Sequence, residues 1–341
     1  MTTVARTRMD AGRALSDPAP AIAGTSEIRE PSQTFVDRLV ESVGRRQSQL
    51  VLGLDPDPAR LWPRAIGSPA GEAGSAEPAS PAVRAAAAVR RHCALVIEAT
   101  AAECVAVKPQ VACFERLGAP GWAALQEVAN AARRAGLLVI ADAKRGDIDV
   151  TAEAYAQAFL GETPTPFGPV AGLGADALTV NPLLGRDSLA PFAEIAAERG
   201  AGLFVLARTS NPGAADVQEL ELVDGDLVSD QLARLIAELG AAQVGRSGLS
   251  DVGAVVGATA PQRLVRMREL MPHAVMLLPG VGAQGGRVED LAPVFAPGPA
   301  AGLVTASRAI ADAYKRDGRN PAESARREAA RLRELAWGVA G

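Results

Sequence analysis

Eight short apolar runs, spaced by helical stretches, constrain this chain more than any other feature. They are Leu50 to Asp55, Val105 to Pro109, Leu137 to Asp142, Ala177 to Pro182, Leu203 to Ala207, Ala254 to Ala258, Val275 to Gly280 and Gly302 to Ala306. Each is too short for a helix and ends in polar or glycine-bearing turn residues, the pattern of a strand buried on both faces. Helical patterns lie between them, for example Trp122 to Ala135, Leu227 to Gly240 and Pro261 to Leu270. Strands alternating with helices build right-handed βαβ units and a parallel sheet. Eight such units in 341 residues predict a single-domain α/β fold, the closed (β/α)8 or TIM barrel. The competing architecture is an open doubly wound sheet, which carries its glycine fingerprint after the first strand. Here the first run ends Asp55-Pro56-Asp57, and the glycines gather after the seventh, from Pro279 to Gly286. Barrels commonly hold phosphate with the loops after strands seven and eight.

The predicted barrel domain spans 33–341. Residues 1–32 mix Ala, Pro, Ser and Thr with scattered charges and no periodicity, and read as a disordered tail. Asp10 and Asp17 interrupt any mitochondrial presequence, and no charged start followed by an apolar region marks a secretory signal. From Thr34, the residues Phe35, Leu39, Val40 and Val43 recur at helix spacing. Residues 67–81 are low in complexity and read as a flexible insertion, followed by an alanine-rich helix from about Ala82 to Ala101.

Lys and Arg total 35 against 39 Asp and Glu, a balance that argues against a general nucleic-acid binder. No apolar stretch approaches a membrane span. Cys93, Cys104 and Cys113 fit no zinc spacing and read as buried free thiols in a reducing cytoplasm. His92 and His273 have no partner motif, which weakens a histidine base or zinc hydrolase.

In a barrel all strand carboxyl ends share one mouth. That places Asp55, Lys108, Asp142, Lys144, Asn181, Ser210, the 280–286 loop with Gln284, and Arg308 together. At its centre, Asp142-Ala143-Lys144-Arg145-Gly146-Asp147 is expected to crowd one lysine between two carboxylates, keeping all three charged. Glycine backbone N–H groups, the Gln284 amide and the Arg308 fork suit a phosphate. With no nucleophile–base pair and no metal cluster in view, the mouth suits a small phosphorylated, polyhydroxylated molecule. Each residue also has a purely structural alternative. Lys108 reads as a rim lysine, Asp55 as a helix cap, Ser210 and Asn211 as turn formers, and Arg308 as a partner of Asp312 one helical turn on.

The run Asp142 to Ile148 with Thr151 resembles the signature of the orotidine 5′-phosphate decarboxylase family. So do Gly53 to Pro56, Val107-Lys108-Pro109, Thr179 to Gly185, Arg208 to Gly213 and Pro279 to Gly286. The Thr-Val-Asn-Pro and Thr-Ser-Asn-Pro-Gly segments look most like the longer bacterial subfamily, type 2. The resemblance implies decarboxylation of orotidine 5′-phosphate to UMP with no cofactor and no metal. It casts Lys144 as proton donor to pyrimidine C6 and Asp142 as neighbour of the departing carboxylate. Asp55 and Lys108 would hold ribose hydroxyls, Ser210 the pyrimidine, and Gln284 and Arg308 the phosphate. Asp147 and Thr151 would reach into the site of a partner, making a homodimer with shared sites. Ser307 stands where the family usually has glycine, which puts one phosphate contact in question. Two other functions stay open: a metal-using sugar-phosphate enzyme on the same barrel, and a catalytically silent nucleotide sensor.

Overall fold

The computed structural model describes residues 33–66, 79–282 and 284–341. The expected tail at 1–32 and residues 67–78 of the expected insertion lie outside the described residues. The insertion's predicted end is corrected: Pro81 opens the helix Pro81–Thr100, with the Ser80 hydroxyl accepting from Val83 N. Proline suits a first helical position because its missing N–H would be unpaired there anyway.

The strands are β1 (Leu50–Leu54), β2 (Ala106–Pro109), β3 (Leu138–Arg145), β4 (Ala177–Val180), β5 (Gly202–Arg208), β6 (Ser250–Val256), β7 (Ala274–Leu278) and β8 (Gly302–Ala306). Each pairs in parallel with the next, and β8 returns to β1 through Leu50↔Val304 and its neighbours, so the sheet closes. The protein is a (β/α)8 barrel. A short antiparallel pair, Glu162–Thr163 with Val170–Ala171, lies outside it.

Two strands differ from their sequence reading. β3 runs on past Asp142 to Arg145, because its register against β4 slips between Ala141 and Arg145. That bulge leaves Asp142 to Lys144 without regular pairing to β4, where period-two patterning carries no signal. β6 begins at Ser250, earlier than the apolar run. Its polar first residues are buried because each has a partner: Ser250 Oγ donates to Gly240 O at 2.9 Å, and Asp251 Oδ1 accepts from Val36 N at 2.7 Å.

The core has two parts. Outward-facing strand residues such as Leu52, Val107, Val139 and Leu178 pack against the helices. Inward-facing ones such as Val51, Ile140, Phe204 and Leu277 fill the barrel together with helix α1 (Phe35–Arg46). Thr34 caps α1 by accepting from Asp37 N at 3.3 Å. Its apolar stripe of Phe35, Val36, Leu39 and Val43 then closes the amino end of the barrel. Phe35 meets Phe204 edge-on, with centroids 5.8 Å apart. Gly202 is required beneath it, since a Cβ there would lie 2.3 Å from the Phe35 ring.

Candidate active site

Asp142 sits at the β3 bulge and is 5% exposed. Four side chains donate to its carboxylate. Lys108 Nζ and Gln110 Nε2 (3.2 Å) donate to Oδ2, and Lys144 Nζ and Thr179 Oγ1 (3.1 Å) to Oδ1. The register of β2 on β3 brings Lys108 and Gln110 across, with Gln110 bridged directly to Asp142. Burial alone would raise the Asp142 carboxyl, but the Lys108 and Lys144 charges outweigh it and hold it down to about 2. Burial likewise opposes charge on Lys108, and Asp142 followed by Asp55 overcomes it, so that its pKa is raised.

Within one chain, the contact at the mouth is a carboxylate held between two lysines, Lys108 and Lys144. Asp147 is only half buried, and its Oδ1 accepts from Ile148 N at 2.9 Å. Lys144 has φ +49°, a left-handed conformation that costs a non-glycine residue about 1–2 kcal/mol. Its amide is held by Thr179 Oγ1 at 2.9 Å, while its side chain stays 43% exposed. A well-fixed backbone thus presents an ammonium group that remains open to a ligand.

A cavity of about 390 Å³ opens at this mouth, within the range of small-molecule sites. Of the ten residues singled out from sequence, it brings together seven: Asp55, Lys108, Asp142, Lys144, Ser210, Gln284 and Arg308. Asp147 and Thr151 do not line it. Thr151 is exposed in the first turn of the helix Asp149–Phe159. Leu206, Val255 and Leu277 supply apolar wall, suited to a flat ring.

Several structural alternatives are decided by contacts. Lys108 is 8% exposed and so is not a rim lysine. Asp55 is exposed at the mouth, and the neighbouring turn is stabilised by Asp57, which accepts from Ala59 N and Arg60 Nε. Asp312 pairs with Lys315, and among the described residues no ion pair or side-chain hydrogen bond involves the Arg308 guanidinium. Asn181, expected at the mouth, does not line the cavity; its Oδ1 accepts from Leu183 N at 3.0 Å. Ser307 has φ −117° and packs against Gly53, where a Cβ would lie 2.7 Å from that of Ser307. The serine is accommodated by the glycine across from it. Cys113 is half buried, unlike the fully buried Cys93 and Cys104.

Gln110 and Thr179 are the residues that sequence reading left without a role. Their signal was strand alternation: Gln110 stands two positions beyond Lys108, on the same face. Arg208 is also structural. It donates to Glu219 Oε1 at 2.8 Å and to Thr209 O at 2.7 Å, and Thr259 Oγ1 donates to Ser210 O at 3.0 Å. Together they brace the Ser210 loop over the cavity. Among the described residues, no group of three or more His, Cys, Asp or Glu is placed to hold a metal ion, and no helix is long and apolar enough to cross a membrane.

Fold and site define a (β/α)8 barrel with a mouth built around a cation-flanked carboxylate. Residues 48–327 match the model of the "Orotidine 5'-phosphate decarboxylase / HUMPS family". The chain is similar to an orotidine 5′-phosphate decarboxylase of Rhodopirellula baltica, 43% identical over 83% of this chain and 90% of the relative. It is similar also to that of Deinococcus radiodurans, 44% identical over 81% of this chain and 89% of the relative. The solved OMP decarboxylase of Leishmania donovani superposes with a TM-score of 0.66 at 32% identity, covering 90% of this chain and 99% of that one. The chain belongs to the orotidine 5′-phosphate decarboxylase / HUMPS family.

Proposed function

We propose that this chain converts orotidine 5′-phosphate to UMP in pyrimidine biosynthesis, without a cofactor, as a cytoplasmic homodimer. The observation that carries the reading is the Asp142 carboxylate kept ionised between Lys108 and Lys144 in the cavity wall. The names of the two bacterial relatives support the same substrate.

Breaking the bond between C6 and the carboxylate releases CO2 and leaves an electron pair in the ring plane, where it cannot delocalise into the π system. The site must therefore stabilise it by placed charge. Lys144 supplies a cation already in position and gives one ammonium proton to C6. The resulting neutral amine is reprotonated from solvent. Asp142, with its four donors, holds Lys144 in place and sits beside the departing group. Lys108 and Asp55 grip ribose hydroxyls, Ser210 contacts the pyrimidine, and Gln284 and Arg308 take the phosphate. Phosphate binding, remote from the reacting bond, helps orient the ring. Asp147 and Thr151 complete the partner's site, which accounts for their lying outside the cavity of their own chain.

Loss of ultraviolet absorbance on adding orotidine 5′-phosphate tests the activity, run with and without a chelator. Turnover unaffected by the chelator is expected. Turnover abolished by it points to the metal-using sugar-phosphate branch, and UMP binding without CO2 release points to a sensor. Lys144→Ala is expected to lower kcat/KM by at least ~10²–10³, the scale for losing one preorganised charge-stabilising donor. Near wild-type turnover in that variant sinks the proposed role. Mixing Lys144→Ala with Asp147→Ala subunits should restore activity through a hybrid dimer with one intact site. Failure to recover after confirmed subunit exchange removes the shared-site claim.

A further inference from the structure

A second cavity, about 610 Å³, adjoins the first, and Arg308 and Ala309 line both. Its wall also holds Arg60, Arg316 and Arg331, so that four arginines face two carboxylates, Asp312 and Glu328. Three of the arginines are paired. Arg60 meets Asp57 at 3.0 Å, while Arg316 and Arg331 share Glu328 at 3.4 and 2.8 Å. Arg316 also donates to Ala309 O at 3.1 Å, which ties it to the segment common to both cavities. Among the described residues, Arg308 is the arginine of this wall with no ion pair. An uncompensated guanidinium therefore stands at the junction of the proposed nucleotide cavity and a second space with excess positive charge.

A ligand with a single phosphate uses only the first cavity. A ligand with a chain of phosphates would use both. Its first phosphate would meet Arg308, and the next would reach a surface of guanidinium forks whose planar donors match phosphate oxygens. We propose that the second cavity binds the terminal phosphates of a pyrimidine nucleoside di- or triphosphate, whose base and first phosphate occupy the active-site cavity. Such a nucleotide competes with substrate, so the site reads the phosphorylation state of the pyrimidine pool. The proposal rests on the nucleotide reading of the first cavity.

Calorimetric titration of the intact protein with UMP and UDP tests it, beside a double variant, Arg60→Ala with Arg331→Ala. Both side chains are more than half exposed, and exposed ion pairs contribute little to folding, so the double variant keeps its fold. UDP is expected to bind wild type about tenfold more tightly than UMP, equivalent to ~1.4 kcal/mol. UDP should also inhibit competitively against orotidine 5′-phosphate. The double variant should bind UMP as wild type does and lose the preference for UDP. UDP binding no tighter than UMP, or a UDP preference that survives in the double variant, overturns the inference while leaving the first cavity's reading intact. Failure of UMP itself to bind removes both.

Discussion

Asp142 at the mouth of the barrel and Asp251 at its amino end are buried almost equally, 5% and 6% exposed, yet their carboxyls move in opposite directions. Asp251 is pushed up to about 6 by burial, which the hydrogen bonds from Val36 N and the Thr34 side chain only partly offset. Asp142 suffers the same desolvation but is held down to about 2, because Lys108 and Lys144 lie against it. Burial sets the direction of the first shift, and adjacent full charge reverses it in the second. The difference separates two uses of one residue type. Asp251 anchors α1 beneath the barrel through a backbone hydrogen bond. Asp142 maintains fixed charge where a ligand would bind.

The contrast can be broken first at the amino end. Phe35→Ala should destabilise the fold by about 3–5 kcal/mol, as for other fully buried aromatics, while leaving KM unchanged. A raised KM with unchanged stability would show that the two ends are not separate. At the mouth, Lys108→Met should cost about 3 kcal/mol, since one cation of a buried pair is removed while Lys144 remains. It should also raise the pH of the acid limb of kcat/KM, because Asp142 then ionises less easily. An unmoved acid limb would mean that Lys144 suffices alone.

The smallest effect is a pair of opposed pH dependences. The folded pKa of Asp251 is about 6, above the unfolded 3.8, so its contribution is full at low pH and lost as pH rises through about 6. His92 runs the other way. Burial lowers it from 6.5 to about 4 in the fold, where its Nδ1 accepts from Trp62 N, so its contribution is lost as pH falls below 6.5 towards 4. Each is worth about 3 kcal/mol by linkage, and the two nearly cancel across that interval. Urea midpoints between pH 4 and 7 should change little from these groups in wild type. In Asp251→Asn they should fall as pH falls, and in His92→Gln rise. Parallel profiles for the two variants would refute the assignment.

The eight strands were legible because their apolar runs are bounded by turn residues, and the α1 stripe because its spacing is helical. The seven mouth residues that share the cavity were legible because a closed barrel sends every strand's carboxyl end to one place. Three features were not. The left-handed Lys144 follows from a register slip between β3 and β4, a property of pairing that no local pattern records. The role of Gln110 depends on β2 lying beside β3 in the register that places it opposite Asp142. The fit of Ser307 depends on Gly53 of a strand distant in sequence.

Local sequence by itself determined which segments are strands, which faces are apolar and which charged residues follow each strand. Those properties depend on neighbours along the chain, and periodicity carries them. Only the tertiary structure decided which charge touches which. Ion pairs form between strands joined by long crossovers, and a step of one residue in register would have given Asp142 a different companion. Within the chain, that pairing sets one carboxylate, Asp142, between Lys108 and Lys144.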